Sequence, residues 1–281
     1  MTAASNHSAN DRYAKEQRFH DSLVSSGLDR PAGRFYAINR RSWDFYRDLI
    51  VDGAAQARTR GDGAILEYGS GAGAYSSLVL AEAGYPSVGI DLSAESVRAA
   101  RERAEREYPG IGVDYRVMNA EALDFPENSF DLICGNGILH HLDLERSYEE
   151  IARTLRPDGS AIFSEPLGHN PLINLYRRLT PGQRTEDEHP LLMADLELAR
   201  RYFGGVEAWY FHLLGLAATP FRSSRLFEPL LRVLDGIDRA LLGAVAPLRR
   251  HAWLVVLRLT APRDAAGTAN PRPRAADKTP Q

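Results

Sequence analysis

Three glycines at alternate positions, Gly69, Gly71 and Gly73, follow the run Ile65-Leu66-Glu67-Tyr68, and they constrain the fold more than any other feature. A strand that runs into such a turn and then a helix can reverse tightly. It also lets a ligand approach backbone N–H groups at a helix N-terminus. Asp91 closes the next β-rich run, Ser87 to Ile90. That is the place for a carboxylate that accepts hydrogen bonds from a ribose diol. Across the chain, short β-rich runs alternate with helical stretches, which predicts an α/β protein with a parallel sheet.

Composition narrows the field. The 281 residues carry 34 Lys+Arg against 37 Asp+Glu, a net charge of -3, with 44% hydrophobic and 25% charged residues. This is ordinary globular usage and excludes collagen-like, wholly disordered and coiled-coil chains. A protein that coats nucleic-acid phosphates usually shows a strong basic excess, so no nucleic-acid partner is expected. The lone Cys134 cannot form an internal disulfide. Residues 1–30 hold no apolar stretch of signal-peptide length, and no apolar run reaches the roughly 18 residues of a membrane span. A cytoplasmic location without a transmembrane segment is the expectation.

The helical reading runs from Phe35 to Arg58, with Trp43, Tyr46, Leu49 and Ile50 at helical spacing. Strands are expected at Ala64–Tyr68, Ser87–Ile90, Gly112–Met118, Phe130–Asn136, Ser160–Glu165, Val206–Leu214 and Trp253–Thr260. Ser93 reads as the N-cap of the helix to Tyr108. Pro157 and Gly159 read as the close of the helix from Leu144. Residues 1–34 are expected to form a tail and the start of a lid, 35–261 the main domain with helical insertions, and 262–281 a disordered tail.

The glycine turn admits two ligands. Gly69, Gly71 and Ala74 satisfy the dinucleotide pattern G-x-G-x-x-G/A. Glu67, read as facing the cleft, argues against a pyrophosphate. It suits a nucleoside with a cationic amino-acid end, which is S-adenosylmethionine.

The ordered set of motifs resembles a class I S-adenosylmethionine-dependent methyltransferase of the small-molecule type. Glu67-Tyr68-Gly69-Ser70-Gly71-Ala72-Gly73 resembles the family's E/D-x-G-x-G-x-G, and Gly89-Ile90-Asp91-Leu92-Ser93 its second motif. Asn119-Ala120-Glu121 resembles the adenine loop, with Asn119 where an acid is common. Ile138-Leu139-His140-His141-Leu142 resembles the exit of strand four, and Leu155-Arg156-Pro157-Asp158-Gly159 the L-x-P-G-G before strand five. The resemblance covers roughly Ala64 to Glu165. It implies a Rossmann-like, doubly wound, seven-stranded sheet with the last strand antiparallel. Helical additions come at the N-terminus, after strand five and between the last two strands. The activity implied is methyl transfer to a small-molecule acceptor. A nicotinamide oxidoreductase and a non-catalytic scaffold are the alternatives.

On that reading Gly69, Gly71 and Gly73 line the methionine part, Glu67 orients its amino group and Asp91 holds the ribose hydroxyls. Leu92 packs on one adenine face, Asn119, Ala120 and Glu121 edge the ring, and Asn136 faces the methionine end. His141 resembles a histidine that removes a proton in some small-molecule methyltransferases, and Tyr36 is read as its lid partner. Glu165 and His169 are read at the acceptor pocket or as loop braces. No metal is expected; Asp187-Glu188-His189 reads as a solvated loop. The segment Leu226–Val245 is amphipathic. Packing on the sheet comes first among its uses, then an acceptor wall or homodimer contact. A membrane-surface role is disfavoured because the polar face mixes charge signs. Trp209, Tyr210, Phe211 and Phe221 nearby point to an apolar or aromatic acceptor.

Overall fold

Short β-branched and aromatic runs become strands where glycine, proline or a capped helix interrupts them. The computed structural model describes residues 12–15, 17–18, 21, 36–60, 62–73, 75–180 and 189–263, the side chains of 36 and 37 excepted. Its strands are β1 (Ile65–Tyr68), β2 (Ser87–Asp91), β3 (Val113–Val117), β4 (Phe130–Asn136), β5 (Leu155–Pro166), β6 (Phe203–Phe211) and β7 (Leu254–Pro262). The helices are α1 (Tyr36–Arg60), α2 (Ser76–Glu82), α3 (Ala94–Glu107), α4 (Leu144–Thr154), α5 (Pro171–Leu179), α6 (Met193–Tyr202) and α7 (Phe227–Ala244).

The strands form one sheet in the order β3-β2-β1-β4-β5-β7-β6. β1 runs parallel to β2 and β4, β2 to β3, and β4 to β5. β7 lies antiparallel between β5 and β6. This is the seven-stranded, doubly wound sheet with an antiparallel last strand that the motifs imply.

Helix starts follow local chemistry. Ser93 accepts from Ser96 N–H, Asp143 from Arg146 N–H, and Asn170 from Leu172 and Ile173 N–H, with Pro171 in the first turn. Each such cap stabilises by about 1 kcal/mol. One face of the sheet packs Leu132, Cys134 and Ile162 under Tyr46, Ile50 and Ala54 of α1. The other packs Ile133 and Phe163 with Tyr148 and Ile151 of α4 and Leu196 of α6. Burying one such side chain completely contributes about 1.5–3 kcal/mol. Gly53 lets α1 sit close, since a Cβ there would come 3.2 Å from Leu132.

β5 starts five residues earlier than the sequence reading. Leu155 is already extended and pairs with Phe130, and the register shifts between Phe130 and Leu132. Pro157 and Gly159 therefore lie inside the strand, not at a helix close. A Cβ on Gly159 would meet the Asp131 carbonyl at 2.9 Å, so the strands approach too closely for a side chain.

Beyond β6 the chain turns through His212, at φ 62°. Its imidazole is fully buried, with Nε2 3.0 Å from the Ser42 hydroxyl and Nδ1 3.9 Å from Asp235. The Asp238 carboxylate accepts from Leu213 and Leu214 N–H and fixes the turn against α7. Burial, with Arg41 nearby, pushes His212 down to about 3. The unfolded chain binds this proton near 6.5 while the folded chain refuses it. Stability contributed here is thus complete above that value and is lost as pH falls toward about 3. We expect wild-type stability to fall between about pH 6.5 and 4 more steeply than that of His212→Asn, by up to about 1.4 kcal/mol per pH unit. Asparagine tolerates the left-handed backbone. Urea titrations at several pH values check this; parallel slopes would remove His212 as the source.

Candidate cofactor site

The three glycines are needed by their backbone. Gly69, Gly71 and Gly73 sit at φ 66°, 50° and 72°, where a Cβ is strained. A Cβ on Gly73 would also come 2.9 Å from Ala100 of α3. The turn is tied back by Ser70 N–H to the Ile90 carbonyl at 2.9 Å. Asp91 ties it again: one oxygen accepts from Gly71 N–H at 2.9 Å and the other from Ser93 N–H at 2.8 Å. The same carboxylate forms part of a cavity wall at the C-terminal ends of β1, β2 and β4.

That cavity measures about 1020 Å³, its open mouth included. It brings together Gly69, Gly71, Asp91, Leu92, Asn119, Ala120, Glu121, Asn136 and His141 of the sequence-derived set. Apolar walls come from Ile90, Leu92, Met118, Ala120, Ile138 and Leu142. Such a pocket, apolar with a few fixed polar groups, suits a nucleoside.

Glu67 departs from its expected place, Glu121 has protein partners of its own, and Glu165 and His169 take the loop-brace alternative. Glu67 does not line the cavity. It is buried, and its two oxygens accept from Ser76 N–H at 2.6 Å and Ser77 N–H at 2.9 Å, at the start of α2. The carboxylate holds the glycine turn onto its helix because orphan N–H groups there need an acceptor. Burial raises its pKa, and these hydrogen bonds oppose the rise. Glu121 lines the cavity, but its carboxylate accepts two hydrogen bonds from Arg12 at 2.5 and 2.7 Å, one from Tyr13 at 2.7 Å and one from Asp143 N–H at 2.9 Å. It clamps the N-terminal segment instead of offering a bare edge to adenine.

Glu165 is fully buried and braces the β4 exit. One oxygen accepts from Ile138 and Leu139 N–H at 2.9 and 2.8 Å, and the other lies 2.7 Å from His140 Nδ1. His169 accepts from Met193 N–H at 3.3 Å and does not line the cavity. Both are braces because a buried loop must satisfy its own polar backbone. The Tyr36 side chain, Ala74, Asp187 and Glu188 lie outside the described residues.

His141 lies on the cavity wall with its ring centroid 4.2 Å from that of His140. Glu165 thus holds His140, and the His140 ring lies against that of His141. Sequence reading missed Arg12, Tyr13 and Gln17, which close part of the same wall. Tyr13, Gln17 and Asp21 stand four residues apart, and Asp21 meets the Ser93 hydroxyl at 2.5 Å. That i, i+4, i+8 spacing was the available signal.

Comparison with known proteins places these features in a family. The methyltransferase-domain family matches residues 66–163. Among curated relatives, the ubiquinone/menaquinone biosynthesis C-methyltransferase UbiE of Hydrogenovibrio crunogenus is 37% identical over 27% of this chain and 30% of its own length. The UbiE of Stenotrophomonas maltophilia is 28% identical over 50% of this chain and 60% of its own length. The chain thus spans less than two thirds of these relatives. Among solved structures, the geranyl diphosphate C-methyltransferase of Streptomyces coelicolor superposes with TM-score 0.55 at 16% identity, covering 89% of this chain and 97% of that one. This last likeness is one of fold.

Proposed function

We propose, from the premise that the chain belongs to the class I S-adenosylmethionine-dependent methyltransferases, that it methylates a small, apolar or aromatic metabolite. The observation that carries the reading is the convergence of nine sequence-derived residues on one cavity at the strand ends. The donor set fits the cofactor. Asp91 offers a carboxylate to a diol, and the walls around Leu92 and Ala120 offer apolar faces to a purine. When bound, the cofactor supplies an activated methyl group on a sulfonium sulfur.

The chain's own residues then bind and align. Asp91 fixes the ribose, and the glycine turn admits the amino-acid end close to the backbone. Asn136, on the cavity wall at the end of β4, orients that end. His141 removes a proton from the acceptor where methylation requires it. The His140 and Glu165 pair holds that ring in place. The apolar acceptor class is supported by relatives whose names point to quinones.

Asp91→Ala is expected to weaken S-adenosylhomocysteine binding by about tenfold or more, since charge-assisted hydrogen bonds contribute about 1.5–3 kcal/mol. Calorimetric titration of wild type and variant, with NADH as a parallel ligand, checks it. Unchanged affinity in the variant would free Asp91 of the ribose role. Binding of NADH in place of S-adenosylhomocysteine would overturn the function.

A further inference from the structure

We infer that the helical additions after β5 and β6 form a docking face for the surface of an anionic phospholipid bilayer. β5 and β6 both run antiparallel to β7, hence parallel to each other and to β4. Their C-terminal ends lie at the same end of the sheet as the cofactor cavity. α5 follows one and α7 follows the other. The Asn170 side chain at the start of α5 donates to the His251 carbonyl at 2.7 Å, at the end of the turn that joins α7 to β7.

Both helices are apolar on the outside. Leu172, Leu175 and Leu179 form one stripe of α5, and Leu226, Val233 and Ile237 one at α7; all are between 42% and 72% exposed. Around them stand the exposed arginines Arg178, Arg222, Arg225, Arg232, Arg239 and Arg250. The acids that mix the signs in the α7 sequence are turned away. Asp238 is buried on the Leu213 and Leu214 N–H groups, and half-buried Asp235 faces Arg41 at 3.7 Å. Glu228 alone stays outward, 3.9 Å from Arg40. Among the described residues of these two helices the outward charge is therefore basic, on a chain whose net charge is -3. This removes the objection drawn from the linear pattern.

Exposed apolar side chains ringed by arginine match the headgroup boundary of an anionic bilayer. A second copy suits them less. Gly236, Ala240 and Gly243 would admit a neighbouring helix, but a twofold contact brings like-charged arginines together with one glutamate to offset them. Docking does not depend on the methyl-transfer reading.

The test is co-sedimentation of the full chain with vesicles of pure phosphatidylcholine and with vesicles containing about one third phosphatidylglycerol. The wild type should bind the anionic vesicles roughly tenfold more tightly, and lose that preference in about 0.5 M salt. Val233→Asp with Ile237→Asp should lose roughly tenfold on anionic vesicles, and so should Arg232→Glu with Arg239→Glu. S-adenosylhomocysteine affinity equal to wild type shows that each variant is folded. Absence of anionic preference, or variants that bind as wild type does, overturns the proposal. So does a dimer in sedimentation equilibrium, dissolved by Ile237→Asp, without vesicle binding. Vesicle binding without S-adenosylhomocysteine binding would leave docking standing and sink the methyltransferase reading.

Discussion

Glu67→Ala is expected to destabilise the protein by about 3–5 kcal/mol, a large share of the 5–15 kcal/mol that holds a typical domain together. The variant strips the acceptor from two buried N–H groups, those of Ser76 and Ser77, and leaves space beneath the glycine turn. Each charge-assisted hydrogen bond contributes about 1.5–3 kcal/mol, and the stranded donors add a desolvation cost. Glu67→Gln keeps the shape and one acceptor, so it should fall roughly midway. Chemical denaturation measures both. Two roles for this carboxylate are separated by the result. Acting on a ligand's amino group, it would change cofactor affinity and leave the apoprotein's stability within about 1 kcal/mol of wild type. Acting as a cap, it changes stability first, and affinity falls because the turn loosens.

His141→Ala is expected to lower turnover by about 10²-fold with S-adenosylhomocysteine affinity and stability close to wild type. The imidazole lies on the cavity wall, and the fully buried Glu165 and its partner His140 support it. Removing the ring therefore takes away a proton acceptor without disturbing the brace beneath it. Single-turnover assays with the acceptor in hand read the effect directly. A loss smaller than about threefold would mean that alignment of acceptor and methyl carries the rate, and that no side-chain base is used.

Much of this was legible before any coordinates, for a physical reason. The glycine turn, Asp91 and the loop Asn119-Ala120-Glu121 are local patterns whose backbone geometry follows from the residue types. Their assembly is then forced by parallel pairing of β1, β2 and β4. Ser93 as a cap and α7 as an amphipathic helix are legible in the same way.

What failed depended on direction. A strand residue such as Glu67 has two faces to choose from, and sequence alone placed it on the cleft side. The orphan N–H groups of α2 placed it on the other. Glu165, read at the acceptor pocket or as a loop brace, takes the brace alternative on the backbone of the β4 exit. Asp235 and Asp238 look like ordinary solvated charges on a helical wheel, and only the turn at His212 explains why they face in. Arg12 and Tyr13 escaped notice because their partner, Glu121, is more than a hundred residues away.

That last contact has a consequence for the cavity wall. Arg12 and Tyr13, both on the wall of the cavity, close on one and the same carboxylate. Glu121 therefore gathers two side chains of this wall on one acceptor, while Asp21 is held separately by Ser93. Neutralising Glu121 alone would free both fasteners together and leave the Asp21 contact with the Ser93 hydroxyl in place.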